Sequence, residues 1–273
     1  MIVGEAIRAA ATRIAAASDT ARLDAELLMA HALGMSRSAM LLQAMRDPAP
    51  EGFAALIARR AACEPVAYIT GTAEFYGLAL TVTPATLIPR GDSETVIEAA
   101  LDRAGATGRV IDLGTGSGAL LLAFLANLAG WQGVGVDASE NALAVASGNA
   151  IALELAGRSA WRHRDWHAPG WTDGLGAFDL ILCNPPYVEA DAALDPQVRN
   201  YEPASALFAG PQGLDDYRAL IPQLGQLLVL GGIAIFEIGH TQANAVSAIA
   251  EAAGFSAELR HDLAGRARAL ILR

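Results

Sequence analysis

Apolar positions change their period along this chain, and each change marks a different kind of element. From Met1 to Ala17 the alanines are interrupted by Glu5, Arg8 and Arg13, which fits a helix and breaks any signal-peptide core. Leu23, Leu27 and Ala30 then recur at helical spacing after Ser18-Asp19-Thr20, with Gly34 as the stop. Ser36 is placed to cap a short helix carrying Met40, Leu41 and Leu42. Pro48 and Pro50 precede a further amphipathic run through Phe53, Leu56 and Ile57 that ends in Arg59-Arg60. No catalytic constellation falls in this part, and His31, alone on a largely apolar helix, reads as structural.

From Glu64 to Glu94 the texture shifts. Glu64-Pro65-Val66-Ala67-Tyr68-Ile69-Thr70-Gly71 leads to Phe75-Tyr76-Gly77 and the strand-forming Leu78 to Thr83, a short hairpin between two domains. Beyond it helix and strand alternate. Helices are expected over Asp92–Ala104, Ala119–Leu128, from Ser139 through Ala150, over Gly213–Leu228 and over Gln242–Ala253. Strands are expected at Val110–Leu113, Val134–Asp137, near Ala160–Arg164, at Phe178–Cys183 and Ile233–Ile238, with a closing pair at the end. This alternation predicts a doubly wound α/β sheet with ligands at the strand C-termini. The expected domains are 1–72, helical; 73–91, a hairpin linker; and 92–273, the α/β domain.

Composition narrows the chemistry. The chain has 273 residues, 53% of them hydrophobic and 18% charged, which suits a globular protein with a sizeable core. Net charge is −10 and every one of the 19 basic residues is arginine. That balance is poorly suited to a broad grip on nucleic acid, and the absence of lysine removes Schiff-base chemistry and the phosphate-loop lysine. The two cysteines, Cys63 and Cys183, have no metal-ligand neighbours and read as small core residues in a reducing compartment. The apolar run Ala119–Ala126 is far short of a membrane span, so a cytoplasmic setting is the expectation.

Two stretches carry the candidate chemistry. Gly114-Thr115-Gly116-Ser117-Gly118 lies between a strand and a helix, where glycines let the backbone approach a ligand. Its spacing is G-x-G-x-G and not the dinucleotide G-x-G-x-x-G. Asp137 ends the following strand and is placed for ribose hydroxyls, and Asp165 and Trp166, after the third strand, for adenine. On these features NAD and S-adenosylmethionine compete evenly.

The second stretch is Asn184-Pro185-Pro186-Tyr187, which follows the Phe178 strand. Two prolines stop that strand and leave a rigid turn. The Asn184 Oδ1 and the Pro185 carbonyl can each accept one hydrogen from an –NH2 group, and the Tyr187 ring can stack on the adjoining plane. An amide or aromatic amine nitrogen is a poor nucleophile, so orientation is what it needs. Such a turn makes sense for methyl transfer to nitrogen and little sense for hydride transfer, which favours S-adenosylmethionine.

Taken together, these residues resemble the release-factor glutamine methyltransferases, the HemK/PrmC family. The likeness runs through the Leu23–Leu33 helix, Glu64–Gly71, Phe75-Tyr76-Gly77, Leu87-Ile88-Pro89-Arg90, Asp112–Gly118, Asn184–Tyr187, Glu202-Pro203, Gly213–Arg218 and Glu237-Ile238-Gly239. It implies a Rossmann-like class I S-adenosylmethionine-dependent methyltransferase domain behind a small helical-bundle domain. It further implies methylation of the side-chain amide nitrogen (N5) of the glutamine in the Gly-Gly-Gln motif of peptide-chain release factors. By the family's pattern Gly114 to Gly118, Asp137, Trp166 and Asn184 contact the cofactor, Asn184 to Tyr187 hold the glutamine amide, and the helical domain touches the release factor. A monomer without direct nucleic-acid binding is expected. One departure stands out: Arg90 is followed by Gly91-Asp92-Ser93-Glu94 where the family usually has proline, an acid, threonine and glutamate, and Gly91 is expected to loosen that segment. Asp112 and Glu237, at strand ends, are candidates for organising the pocket. An adenine-N6 methyltransferase would share the glycine loop and the Asn184 turn, but it would also need a basic face or a target-recognition segment.

Overall fold

The helical spacing of the first 70 residues produces five helices: α1 (Val3–Ile14), α2 (Ala21–Leu33), α3 (Arg37–Gln43), α4 (Phe53–Ala61) and α5 (Val66–Thr70). The structure is a computed structural model that describes residues 1–273. Its residues group into two units, Met1–Thr72 with Leu194–Tyr201, and Ala73–Ala193 with Glu202–Arg273. The segment Leu194–Tyr201, inside the stretch 92–273 read from sequence as one domain, therefore groups with the N-terminal residues. Its helix Pro196–Tyr201 (α9 in chain order) is held there by the Tyr201 hydroxyl, which donates to the Ala62 carbonyl at 2.7 Å.

In this first unit the Ser36 hydroxyl caps α3 by accepting from the Ala39 N–H, and Gly34 ends α2 in the left-handed region. Val3, Ile7, Ile14, Leu28, Met29, Met40 and Ile57 form its core. Burial on α2 does not follow its leucines. Leu23 and Leu27 are 40% and 36% exposed, while Asp24 and Glu26 point inward. The reason is pairing. Arg60, only 3% exposed, donates from Nε to Asp24 Oδ2 at 2.7 Å, and the Ser18 and Thr20 hydroxyls complete the Asp24 shell. Glu26 is held by Arg22 and Arg37. His31 is exposed, and Cys63 is only half-buried, with a left-handed φ of 66°.

The stretch Glu64–Gly71, which leads to the hairpin, carries the helix α5, which follows Pro65 and stops at Gly71. The hairpin itself is β1 (Thr72–Phe75) and β2 (Leu78–Thr81). A 3-10 turn at Gly91–Ser93 then leads into α6 (Glu94–Leu101). The remaining elements are β3 (Thr107–Leu113), α7 (Ala119–Asn127), β4 (Gly130–Asp137), α8 (Glu140–Ala152), β5 (Ser159–His163), β6 (Phe178–Cys183), α10 (Asp215–Leu220), β7 (Leu228–Glu237), α11 (Ala243–Ala252), β8 (Ala257–His261) and β9 (Ala267–Leu272).

These strands form one seven-stranded sheet in the order β5-β4-β3-β6-β7-β9-β8. The first five are parallel and β9 runs antiparallel to both β7 and β8. Side chains alternate between two cores: Val110, Leu180, Leu182, Ile235 and Ile271 pack on the face carrying α6 and α7, whereas Ile111, Leu113, Ile181, Cys183, Phe236 and Leu270 pack on the face carrying α10 and α11. Burial on both faces explains why the strands read as nearly continuous apolar runs. The helix expected over Gly213–Leu228 is shorter: α10 ends at Leu220 and a 3-10 stretch runs Ile221–Gln226. Pro222 there has no N–H for an α-helical bond and would crowd the preceding turn. Strand β7 correspondingly begins at Leu228, five residues before the expected start, with a register shift against β6 between Phe178 and Leu180.

The Asp24–Arg60 pair gives a direct test. Arg60→Met strands a buried carboxylate, and loss of one partner of such a pair costs about 3–5 kcal/mol. Hydrogen exchange on the full chain will then show reduced protection of α2 and α4 amides, with β3 and β6 amides unchanged.

Candidate active site

The site begins with strand register. Leu113, the last residue of β3, pairs with Cys183, the last residue of β6, so the loops starting at Gly114 and Asn184 leave the sheet side by side. On either side of this pair the chain order reverses, β4 and β5 lying beyond β3, and β7 beyond β6. That is the switch point at which open α/β sheets bind ligands. A cavity of about 610 Å³ opens there. Its size lies within the roughly 300–1,000 Å³ typical of small-molecule sites.

The glycine loop is tied to the neighbouring strand. The N–H groups of Gly114 and Thr115 both donate to the Val136 carbonyl at 2.9 Å, and the Gly116 N–H donates to Asp137 Oδ2 at 2.9 Å. Gly116 has a φ of 55°, and a Cβ placed on it would meet nothing within 4 Å. The conformation requires glycine, and the missing side chain leaves room to the cavity. Gly118 serves packing instead: its φ is 83°, and a Cβ there would press on Leu122 at 3.0 Å and Trp161 at 3.2 Å. Asn149, buried on α8, donates to the Ser117 carbonyl and exchanges two hydrogen bonds with the Thr81 backbone, which fixes the hairpin and the loop to one side chain. No sequence signal marked Asn149.

Of the residues expected from sequence, Gly114, Thr115, Gly116, Ser117, Asp137, Asp165, Trp166, Asn184 and Pro186 lie on the cavity wall; Gly118, Pro185 and Tyr187 do not. Asp137 Oδ1 accepts the Ser139 N–H at 2.9 Å, so both of its oxygens are oriented by backbone, each with a lone pair remaining. Burial raises its pKa above the ordinary value. The Trp166 indole donates to Asp216 Oδ1 at 2.7 Å and its ring edge lies 3.1 Å from where a Gly114 Cβ would stand. Asp216, which holds that ring, was not foreseen; it sits 50 residues away in sequence.

Asn184 is half-buried, and its Nδ2 donates to the Ser93 hydroxyl across 3.4 Å. The Tyr187 ring, expected to stack on a ligand plane, does not line the cavity. Its hydroxyl donates to Glu237 Oε1 at 3.2 Å and the ring packs against the core on the α10–α11 face. The segment around Gly91 does not come loose: it folds as a 3-10 turn with Ser93 buried. Arg90 reaches the cavity wall and forms an ion pair with buried Glu202, which also accepts the Ile88 N–H. Both partners belong to the stretches that carried the resemblance, but 112 residues separate them.

Two carboxyl groups at strand ends lack full partnership. Asp112 on β3 accepts from the Thr115 hydroxyl at 2.6 Å, yet its Oδ1 is buried without a partner. Burial pushes its pKa up to about 7, with the Thr115 hydroxyl pulling back. Glu237 on β7 is likewise pushed up to about 7 by burial, against the Ser93 hydroxyl, the Arg268 guanidinium and Tyr187. Asp112 lines the cavity, and its acidic group there fits a cationic ligand. S-adenosylmethionine, with its ammonium and sulfonium, meets that requirement, and Asp137 and Trp166 suit its ribose and adenine.

The raised Asp112 pKa makes stability depend on pH. The unfolded carboxyl ionises near 3.8 and the folded one at about 7, so between them the native state binds more protons. Stability therefore falls as pH rises through that interval and levels off above it. In thermal melts of the cofactor-free protein, wild type will lose Tm relative to Asp112→Asn as pH rises from about 5 to about 7.5. A constant difference across that range would contradict the assignment.

Comparisons with known proteins agree with this geometry. A family model described as the PrmC N-terminal domain matches residues 5–71, and the methyltransferase small domain matches residues 92–200. A release factor glutamine methyltransferase of Bradyrhizobium diazoefficiens is 43% identical over 99% of this chain and 94% of its own length. Its counterpart in Cereibacter sphaeroides is 43% identical over 98% of this chain and 97% of its own length. The one in Rhodospirillum rubrum is 41% identical over 100% of this chain and 85% of its own length. Among solved structures, a methyltransferase from Pyrococcus furiosus shares the fold with a TM-score of 0.52 at 17% identity, covering 72% of this chain and 88% of that one. No helix is long and apolar enough to cross a membrane. A switch-point cavity with a glycine loop, an orphaned acid and an Asn-Pro-Pro-Tyr turn, in a chain this similar over its whole length, places the protein in the release factor glutamine methyltransferase family, whose methyl donor is S-adenosylmethionine.

Proposed function

We propose that this protein methylates the side-chain amide nitrogen (N5) of the glutamine in the Gly-Gly-Gln motif of peptide-chain release factors. The observation that carries this reading is the pairing of Leu113 with Cys183, which sets the Asn184 turn next to the glycine loop on one cavity. When bound, S-adenosylmethionine supplies a methyl group on a sulfonium, a strong electrophile that needs only an oriented nucleophile. Gly114 to Ser117 would bring the backbone up to it, Asp137 would hold the ribose hydroxyls, Asp165 and Trp166 would border the adenine, and Asp112 would supply negative charge for the ammonium.

The chain's own part in the chemistry is orientation. Asn184 Oδ1 and the Pro185 carbonyl each accept one N–H of the glutamine amide. Those two bonds fix its plane and favour the pyramidal nitrogen that attacks. Pro186 keeps the turn rigid, and Tyr187 holds it from behind through Glu237. As the nitrogen bonds to the methyl carbon, the sulfonium would keep the electron pair of the S–C bond that breaks and become a neutral thioether, and the methylated amide would then lose its proton to water; no side chain is assigned here as a general base. The helical unit docks the release factor, and its exposed Leu23, Leu27 and Leu42 are apolar contacts available for that purpose. This substrate implies a cytoplasmic enzyme, and the net charge of −10 disfavours nucleic acid as the target.

Mass spectrometry of a release factor incubated with the protein and S-adenosylmethionine tests the reading. One added methyl on the Gly-Gly-Gln glutamine is expected, with the rate falling about a hundredfold or more in Asn184→Ala. Label entering DNA or RNA and not the factor would overturn it.

A further inference from the structure

A ring that borders a bound nucleoside serves best when its plane is set before the ligand arrives. A side chain that must be ordered on binding spends part of the affinity on its own lost rotamers. Trp166 lines the cavity, with its ring edge 3.1 Å from where a Gly114 Cβ would stand and its other contacts in the core on the α10–α11 face. These apolar contacts limit where the ring can lie. The direction of its one N–H is set by a hydrogen bond.

Asp216, in the first turn of α10, supplies that bond. Its side chain is 8% exposed and lies on the same cavity wall, and its Oδ1 accepts the indole N–H at 2.7 Å. His167 Nε2 stands 3.1 Å from both the indole nitrogen and that oxygen. An indole has a single N–H, and the carboxylate is the nearer acceptor, so His167 meets the same oxygen with its own Nε2–H. The position of Asp216 is itself fixed. The adjoining Tyr187-independent anchor is Tyr217, fully buried, whose hydroxyl donates to the Glu237 carbonyl at 2.8 Å. Just before α10, Gln242 Nε2 donates to the carbonyls of Gly213 and Tyr187 at 3.1 and 3.0 Å. The start of α10 is thus bonded through one side chain to the end of the Asn-Pro-Pro-Tyr turn.

We infer that Asp216 is a positioning residue for the cofactor, fixing the Trp166 indole in the orientation that receives the adenine. The inference rests on the proposed place of the adenine beside Trp166. Asp216 touches no reacting atom, so its effect falls on affinity for the cofactor and not on turnover once the cofactor is bound.

The experiment compares Asp216→Leu, Asp216→Asn, Trp166→Phe and the Trp166→Phe/Asp216→Leu double variant. Leucine and asparagine both approximate the size of aspartate, and only asparagine keeps an acceptor oxygen. Asp216→Leu is expected to raise Kd for S-adenosylmethionine about threefold to tenfold, the cost of ordering one freed side chain. Adenosine alone, which lacks the methionine portion, loses the same factor. Asp216→Asn stays close to wild type, and kcat at saturating cofactor is unchanged in both. The double variant binds no more weakly than Trp166→Phe alone, because without the N–H the carboxylate has no ring to hold.

A second readout needs no ligand. The indole N–H resonance of Trp166, identified by its loss in Trp166→Phe, will move in Asp216→Leu and move less in Asp216→Asn. Unchanged Kd in Asp216→Leu, asparagine no better than leucine, the same loss with and without the indole, or an unmoved resonance would each overturn the inference while Trp166→Phe still weakened binding. Undiminished affinity in Trp166→Phe would instead overturn the placement of the adenine, and the inference with it. A wild-type enzyme that leaves the release factor unmethylated would remove the proposed substrate and leave the binding results standing.

Discussion

The pairing of β3 with β6 is the constraint on which the rest of the site depends. Both strands end in residues buried on the same face, Leu113 and Cys183, and a slip of one position would turn every side chain of one strand to the wrong core. Hydrophobic burial thus fixes the register, and the register fixes which loops are neighbours. The glycine loop and the Asn184 turn, 70 residues apart, meet because two apolar strands cannot pack in any other phase. Catalytic geometry here is inherited from core packing.

Around that junction the structure keeps buried acids without matching cations. Asp112 and Glu237 each have one hydrogen-bonded oxygen and one without a partner, with Arg268 near enough to Glu237 to favour its charge. Buried carboxylates of this kind oppose folding unless something compensates them. The two differ in where they face: Asp112 lines the cavity, whereas Glu237 lies in the core against the Tyr187 hydroxyl.

The N-terminal unit follows a different logic. Its helix α2 turns Asp24 and Glu26 inward and leaves Leu23 and Leu27 partly exposed, because arginines from other parts of the unit reach the acids. Apolar surface is left over on that helix as a consequence. A helix whose core face is partly ionic and whose outer face is partly apolar is suited to meeting a second surface.

Much of this was legible in the sequence. Period and punctuation located nearly every helix and strand, since local sterics and alternation act over a few residues: Gly34, Ser36 and Ser139 do at their helix ends what glycine and serine do in general. The glycine loop, Asp137 and the Asn184 turn were also visible, because each is a contiguous run whose chemistry needs no distant partner. What the sequence left undecided were pairings. It could not show that Arg90 meets Glu202, that Asp216 holds Trp166, that Asn149 binds both the hairpin and the loop, or that Asn184 meets Ser93. Nor could it show that Asp24 and Glu26 turn inward on α2, or that the Tyr187 hydroxyl meets Glu237. Those facts depend on which strands lie adjacent and in what register, a choice made by burial of the whole sheet, and no local run of residues contains it.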